Sequence, residues 1–252
     1  MNMRIEHQTT RDVAGLLSTG RPVVVLLPVG SVEPHGPHLP LATDTIISDA
    51  VASRAVALLA TRDVSAVVAP AIPYGVTEFA AGFAGAVSVP AEALTPFLRA
   101  VILGYHAAGF AHVCLVNNHL EPAHDEAVRA AVVGLAPGSA SVACPLSRRW
   151  ARTLSDEFKS GACHAGRYET SIVLAAAADT VDTAAAHDLP ASALSLSAGI
   201  KQGVATFKAM GMDRAYTGAP ALATAAEGEA LIEKLSTMVC TEVIESLETL
   251  RG

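Results

Sequence analysis

Residues 30–44 read Gly-Ser-Val-Glu-Pro-His-Gly-Pro-His-Leu-Pro-Leu-Ala-Thr-Asp, which gathers Glu33, His35 and Asp44 into one Gly/Pro-rich loop directly after the apolar run Val23–Val29. Carboxylate, imidazole and carboxylate at the mouth of a buried strand suit a hard-to-borderline divalent metal. Glu33 and His35 lie two apart, so on an extended segment their side chains point the same way. Pro34, Pro37 and Pro40, with Gly30 and Gly36, stiffen and shape the loop, which lowers the entropy of holding ligands ready. Asp44 also fits an N-cap of the helix that follows. Beside Glu33 and His35 the metal reading gains, with the second carboxylate oxygen free to bridge two ions. His38, between Pro37 and Pro40, reads as hydrogen-bonded structure more readily than as a ligand.

Two further islands repeat this chemistry. Asn117-Asn118-His119-Leu120-Glu121 follows a second apolar run, and His119 and Glu121 again lie two apart. A helix start with Asn118 as N-cap and Glu121 as its capping-box partner accounts for the glutamate. It does not account for the imidazole. In Cys163-His164-Ala165-Gly166-Arg167-Tyr168-Glu169, His164 suits a general acid or base, since imidazole titrates near neutral pH. Glu169 falls in the first turn of a predicted helix, where a carboxylate is favoured by the helix dipole alone. His7, His106, His112, His124 and His187 lie outside these islands and read as surface or packed histidines.

Stepping along the chain, the elements that must hold these loops are short and alternate. Strands are predicted over 23–29, 65–70, 112–117 and 142–145. Helices are predicted over 45–60, 91–109, 123–135 and 226–250, and a polar loop turns helical within 162–178. Residues 179–225 read as long loops with short elements. Such alternation implies β-α-β units: an α/β, three-layer Rossmann-like fold with a mainly parallel sheet and helices on both faces. Working residues then lie at the carboxyl ends of the strands. The loops carrying Glu33, Tyr74 and His119 all leave there.

The 252 residues, 51% hydrophobic and 16% charged, suit one compact domain over 1–252 and argue against disorder. With 17 basic and 24 acidic residues the net charge is −7, and Arg148-Arg149 is the longest basic run, so no nucleic-acid partner is expected. No apolar stretch has the length of a membrane span, and residues 1–7 lack a signal-peptide core. Cys114, Cys144, Cys163 and Cys240 form no close pair, which fits reduced thiols and a cytoplasmic location. The motifs of dinucleotide-binding, P-loop, serine hydrolase and zincin sites are missing.

The residues quoted so far resemble the signature of the creatininase (creatinine amidohydrolase) family. The likeness runs through residues 29–40 and Thr43-Asp44, through Ile72-Pro73-Tyr74-Gly75 and 82–88, through 164–171 and through 218–228, in that order. It implies an α/β enzyme that hydrolyses cyclic or linear amides, assembles as a homo-oligomer, often a hexamer, and holds two divalent ions of zinc, manganese or iron. Carried over residue by residue, Glu33 and His119 bind one ion, His35 and Glu121 the other, and Asp44 bridges. Other relatives place the ligand at the position of Glu169, so the choice between Glu121 and Glu169 stays open.

The expected activity is cleavage of a non-peptide C–N bond in a small-molecule amide. A hydroxide bridging the two ions attacks, and His164, with Glu121 or Glu169, handles protons. Tyr74, Thr77, Glu78, Leu120 and Trp150 are candidates to line the substrate pocket. The chain departs from the family at Pro34, Asn118 and Leu120, and Trp150 is its one tryptophan, which weighs against a stacked creatinine ring. Alternatives are a deformylase or C–C hydrolase on a biosynthetic intermediate, and a non-catalytic ligand-binding member of the fold.

Overall fold

The computed structural model describes residues 3–251. Four described strands, β1 (Val23–Val29), β2 (Ser65–Val68), β3 (His112–Asn117) and β4 (Ala140–Ala143), pair in parallel in the order β2-β1-β3-β4. The helices are α1 (Thr10–Leu17), α2 (Thr43–Ala60), α3 (Ala91–Ala107) and α4 (Pro122–Val132), then α5 (Arg148–Ala151), α6 (Asp156–Ser160) and α7 (Arg167–Ala176). They end with α8 (Thr183–His187), α9 (Leu196–Lys201) and α10 (Ala225–Arg251). No described helix is long and apolar enough to cross a membrane.

Every residue of β1 is buried, as a central strand covered on both faces requires. Alternate residues face opposite ways. Val24 and Leu26 join the core made with α2, α7 and α10, while Val23, Val25, Leu27 and Val29 join the core made with α3 and α4. The chain is therefore the three-layer α/β sandwich that the alternation implies. The strands and the main helices fall within a few residues of their expected places.

Three differences have physical causes. Helix α2 begins at Thr43, one turn's fraction earlier than expected, and Thr43 donates to the Pro40 carbonyl at 2.7 Å. Helix α4 begins at Pro122, whose fixed φ suits a first helical position and holds Glu121 extended before it. Helix α1 was not expected, although Thr9 and Asp12 form a reciprocal capping box at its start.

Helices α7 and α10 approach closely at Gly228. A Cβ built there would lie 1.8 Å from the Ser171 carbonyl oxygen, and the Thr224 N–H is bound by the Ser171 hydroxyl at 3.0 Å. A Cβ at Gly104, inside α3, would meet nothing within 4 Å. Gly228→Ala should therefore destabilise the fold by about 1–3 kcal/mol through overpacking. Gly104→Ala should stabilise it by about 0.5–1 kcal/mol by removing helical glycine. Urea unfolding midpoints at unchanged slope check both signs.

Candidate metal centre

Between β1 and β3 the strand order reverses: the chain leaves β1 for β2 on one side and returns as β3 on the other. Loops diverging from such a switch point leave a crevice at the carboxyl ends of the strands. The loop after β1 carries Glu33 and His35 and runs into Asp44 at the start of α2. The loop after β3 carries His119 and Glu121. The start of α7 adds His164 and Glu169 from across the crevice. All seven are buried.

Asp44 ties the group together. One carboxylate oxygen, Oδ1, lies 3.3 Å from His35 Nε2, and the other, Oδ2, lies 3.0 Å from His119 Nδ1. Glu33 Oε1 lies 3.6 Å from each of His35 Nε2, His119 Nδ1 and His164 Nδ1. Glu169 Oε2 lies 3.5 Å from His35 Nε2. Two sets of potential ligand atoms result, His35 with Asp44 and Glu169, and His119 with Glu33 and Glu121. A third, overlapping set joins Glu33, His35 and His164.

Each imidazole is held from behind by a backbone carbonyl. His35 Nδ1 donates to the Glu33 carbonyl at 3.0 Å, His119 Nε2 to that of Val76 at 2.7 Å, and His164 Nε2 to that of Pro34 at 3.0 Å. These bonds fix the tautomers, so in the neutral imidazole the nitrogen turned inward carries the lone pair. Ser31 donates to Asp44 Oδ2 at 2.7 Å, and Thr77 donates to Glu33 Oε2. His124 packs edge-on to His119 at 4.6 Å and accepts the Val76 N–H at 3.3 Å, so both backbone polar groups of Val76 are pinned.

The electrostatics follow from burying so many acids together. Burial alone would lower the His35 and His119 pKa values, but the carboxylates around them, Asp44, Glu169 and Glu33 for one and Glu33, Asp44 and Glu121 for the other, raise both to about 10. Asp44, although buried, is held well below the usual carboxylate range by His35 and His119. Burial pushes Glu169 up to about 8 and Glu121 up to about 7. His164 goes the other way, lowered by burial and by neighbouring His35.

The donor set fits divalent ions. Buried His35 Nε2 has no hydrogen-bond partner of acceptable geometry. Ligands about 2.0–2.2 Å from one tetrahedral ion lie roughly 3.3–3.6 Å from each other. The inward nitrogens and carboxylate oxygens are separated by 3.0–3.6 Å. Such separations suit shared ligation, with ions taking the place of the protons that His35 and His119 hold in the protein alone.

The expected site residues divide cleanly. Glu33, His35, Asp44, His119, Glu121, His164 and Glu169 are brought together, and Leu120 lines the cavity beside them. Asp44 caps nothing, since α2 is preceded by Ala42. Glu121 is no capping-box partner: it stands before Pro122, and its carboxylate accepts the Glu78 and Phe79 N–H groups at 2.9 and 3.2 Å. Thr77 meets Glu33 rather than the cavity wall. Tyr74 is half exposed, and Glu78 reaches the cluster through its backbone. Trp150 is not at the cavity; its indole N–H donates to Glu242 on α10 at 2.6 Å. His38 is buried behind the loop and pairs with Thr170 at 2.8 Å. Sequence reasoning missed Ser31, the pinning role of His124, and the wall residues Phe79, Leu196, Ile200 and Phe207. Leu196 and Ile200, one helical turn apart, were the one available signal.

A family model described as Creatininase, creatinine amidohydrolase, matches residues 6–243. The chain is 36% identical over 217 residues to a protein of Mycolicibacterium smegmatis named mycofactocin precursor peptide peptidase, covering 84% of this chain and 81% of that protein. It is 31% identical over 161 residues to the 3-dehydro-scyllo-inosose hydrolase of Thermotoga maritima, covering 64% of this chain and 48% of that one. Among solved structures it is similar in fold to a manganese form of creatininase, with a TM-score of 0.73 at 20% identity over 97% of this chain and 98% of that one.

The raised imidazole pKa values carry a sign that can be measured. At pH 8 His35 and His119, with values of about 10, hold protons in the metal-free cluster, whereas ligation needs them neutral. Adding zinc to metal-free protein in weak buffer should release protons, and apparent affinity should rise from pH 6 to pH 9. Isothermal titration in buffers of different ionisation enthalpy gives the count; uptake without proton release contradicts the assignment.

Proposed function

The chain belongs to the creatininase family of metal-dependent hydrolases, and from that premise we propose an amidohydrolase that opens an amide C–N bond at a site for two divalent ions. The observation that carries this reading is the buried carboxylate of Asp44, whose two oxygens each reach a different imidazole, His35 and His119, at 3.3 and 3.0 Å. We assign Glu169 to the side of His35 and Glu33 with Glu121 to the side of His119, following the two groups of close ligand atoms. This differs from the pairing that the family resemblance implies, in which Glu121 accompanies His35. The mixed carboxylate and imidazole set suits zinc, manganese or iron.

When bound, such ions supply Lewis acidity toward the carbonyl and a water acidic enough to attack it at neutral pH. The chain's own residues do the rest. Outward hydrogen bonds from the three imidazoles keep the cluster oriented before substrate arrives. His164 is neutral, with its bare Nδ1 turned into the cluster and its Nε2–H on the Pro34 carbonyl. It therefore enters as a proton acceptor at Nδ1, and once protonated there it is placed to donate to the leaving nitrogen, which departs poorly as an anion. Its ring lies between those of His35 and Phe207, 4.4 Å from each, which limits its motion.

The expectation of a strictly non-peptide bond is widened here. A precursor-peptide peptidase among the relatives supports a peptide amide as well as a small-molecule amide. The relative named for 3-dehydro-scyllo-inosose favours a second reading, hydrolysis of a C–C bond next to a ketone, on the same site.

Elemental analysis and a substrate panel test the proposal together. Reconstituted protein should hold two ions per chain and turn over at least one class among lactams, formamides and blocked short peptides. Chelation should abolish turnover, and zinc or manganese should restore it. His35→Ala and His119→Ala should each retain about one ion. Asp44→Ala should retain fewer and lose roughly a hundredfold or more in kcat/KM. Full metal retention in Asp44→Ala would sink the two-ion site, and turnover of β-diketones alone would favour the second reading.

A further inference from the structure

Opposite the ligand cluster, the crevice is closed by a wall of Phe79, Leu120, Pro122, Leu196, Ile200 and Phe207. The space between wall and cluster is about 40 Å³, room for roughly three waters. Phe79, Leu196 and Phe207 of this wall share a small core of their own, whereas Leu120 packs on the main core. Phe207 and Phe79 stack 6.0 Å apart and their backbones bond at 2.8 Å, with Ala80, Met212 and Ala215 packed beneath. Leu196 and Ile200 lie four apart on α9, hence on one face, and the Leu196 N–H is anchored to the Gly161 carbonyl at 2.8 Å.

Among the described residues that line this space there is no lysine or arginine. Lys208, next to Phe207, is turned to the Gly82 carbonyl at 2.7 Å and lies over the Phe83 ring. The backbone N–H groups of Glu78 and Phe79, which could have held an anion at this mouth, are taken by Glu121. The four carboxylates Glu33, Asp44, Glu121 and Glu169 would balance two divalent ions, which leaves no net positive charge for a further anion. A substrate carboxylate placed against the wall would be stripped of water with no partner.

We propose that this wall is the subsite that sets specificity: it takes an uncharged apolar group, branched or aromatic, attached next to the scissile amide, and rejects a carboxylate there. This rests on the amidohydrolase reading above. Hydrophobic pockets discriminate by roughly 10–200-fold per methylene, so replacement of leucine by a charged residue of similar length should exceed tenfold.

The test uses blocked dipeptide amides in which the residue on either side of the scissile bond is Leu, Gln or Glu, with zinc- or manganese-loaded protein. At one of the two positions kcat/KM should fall at least tenfold from Leu to Gln and at least tenfold again to Glu. Ile200→Arg should recover at least tenfold of the Glu substrate relative to Leu, with metal content confirming that the variant is folded. Leu and Glu substrates within threefold of each other at both positions in the parent protein overturn the proposal, whether or not the variant folds. Loaded protein that turns over no member of the series, and no other amide, overturns the amidohydrolase reading and this one with it. Turnover with a flat ratio overturns this one alone.

Discussion

Glu33, Asp44, Glu121 and Glu169 are buried within reach of one another, and among the described residues the cavity they line offers no lysine or arginine to neutralise them. Burying even one unpaired carboxylate costs several kcal/mol, so four of them demand counter-charge. In the protein alone that charge comes from protons, which is why His35 and His119 hold theirs up to a pH of about 10. Divalent ions meet the same demand with more charge in less space. The inward lone pairs, the outward N–H bonds to backbone and the hydroxyls on Asp44 and Glu33 are arranged as that exchange requires.

The fold makes this concentration of acids possible by bringing them from separate segments. No single helix or strand could present four carboxylates and three imidazoles to one point. The switch between β1 and β3 opens a crevice, and the exits of two strands and the start of α7 converge on it. Convergence needs close backbone approach. Gly30 ends β1 against the start of α2, where a Cβ would lie 2.6 Å from the Thr45 nitrogen. A side chain at that position would force the β1 exit and the start of α2, which carries Asp44, to shift against each other.

Much of this was legible in the sequence because it is local. Apolar runs ending in Gly/Pro-rich loops located the strands, and pairs such as Glu33 with His35 and His119 with Glu121 stood out by spacing. What was not legible depends on distant pairing. Glu121 looked like a helix cap until Pro122 placed the helix start after it and the amides of Glu78 and Phe79 took its carboxylate. Glu169 looked equally like a dipole partner, and its distance of 3.5 Å to His35 is a contact between residues 134 positions apart. Trp150 drew attention as the one tryptophan, yet it serves α10 through Glu242.

The wall was the least legible part, and the reason is physical. An apolar residue in a loop carries no chemical signature, so Phe207 is indistinguishable in sequence from a residue of the main core. Its neighbours come from residues 79–86 and 196–215 and pack into a small core separate from the two that cover the sheet. Phe79, Leu196 and Phe207 pack on that core, away from the ligands. Energetic effects at sites that share partners are coupled rather than additive. Wall and cluster are joined chiefly at His164, stacked between His35 and Phe207, and at Glu121, bound by the amides of Glu78 and Phe79. Those joints are where a change in substrate preference would be felt by the chemistry, because a shift of Phe207 or of the 78–79 backbone moves a proton carrier or a ligand carboxylate with it.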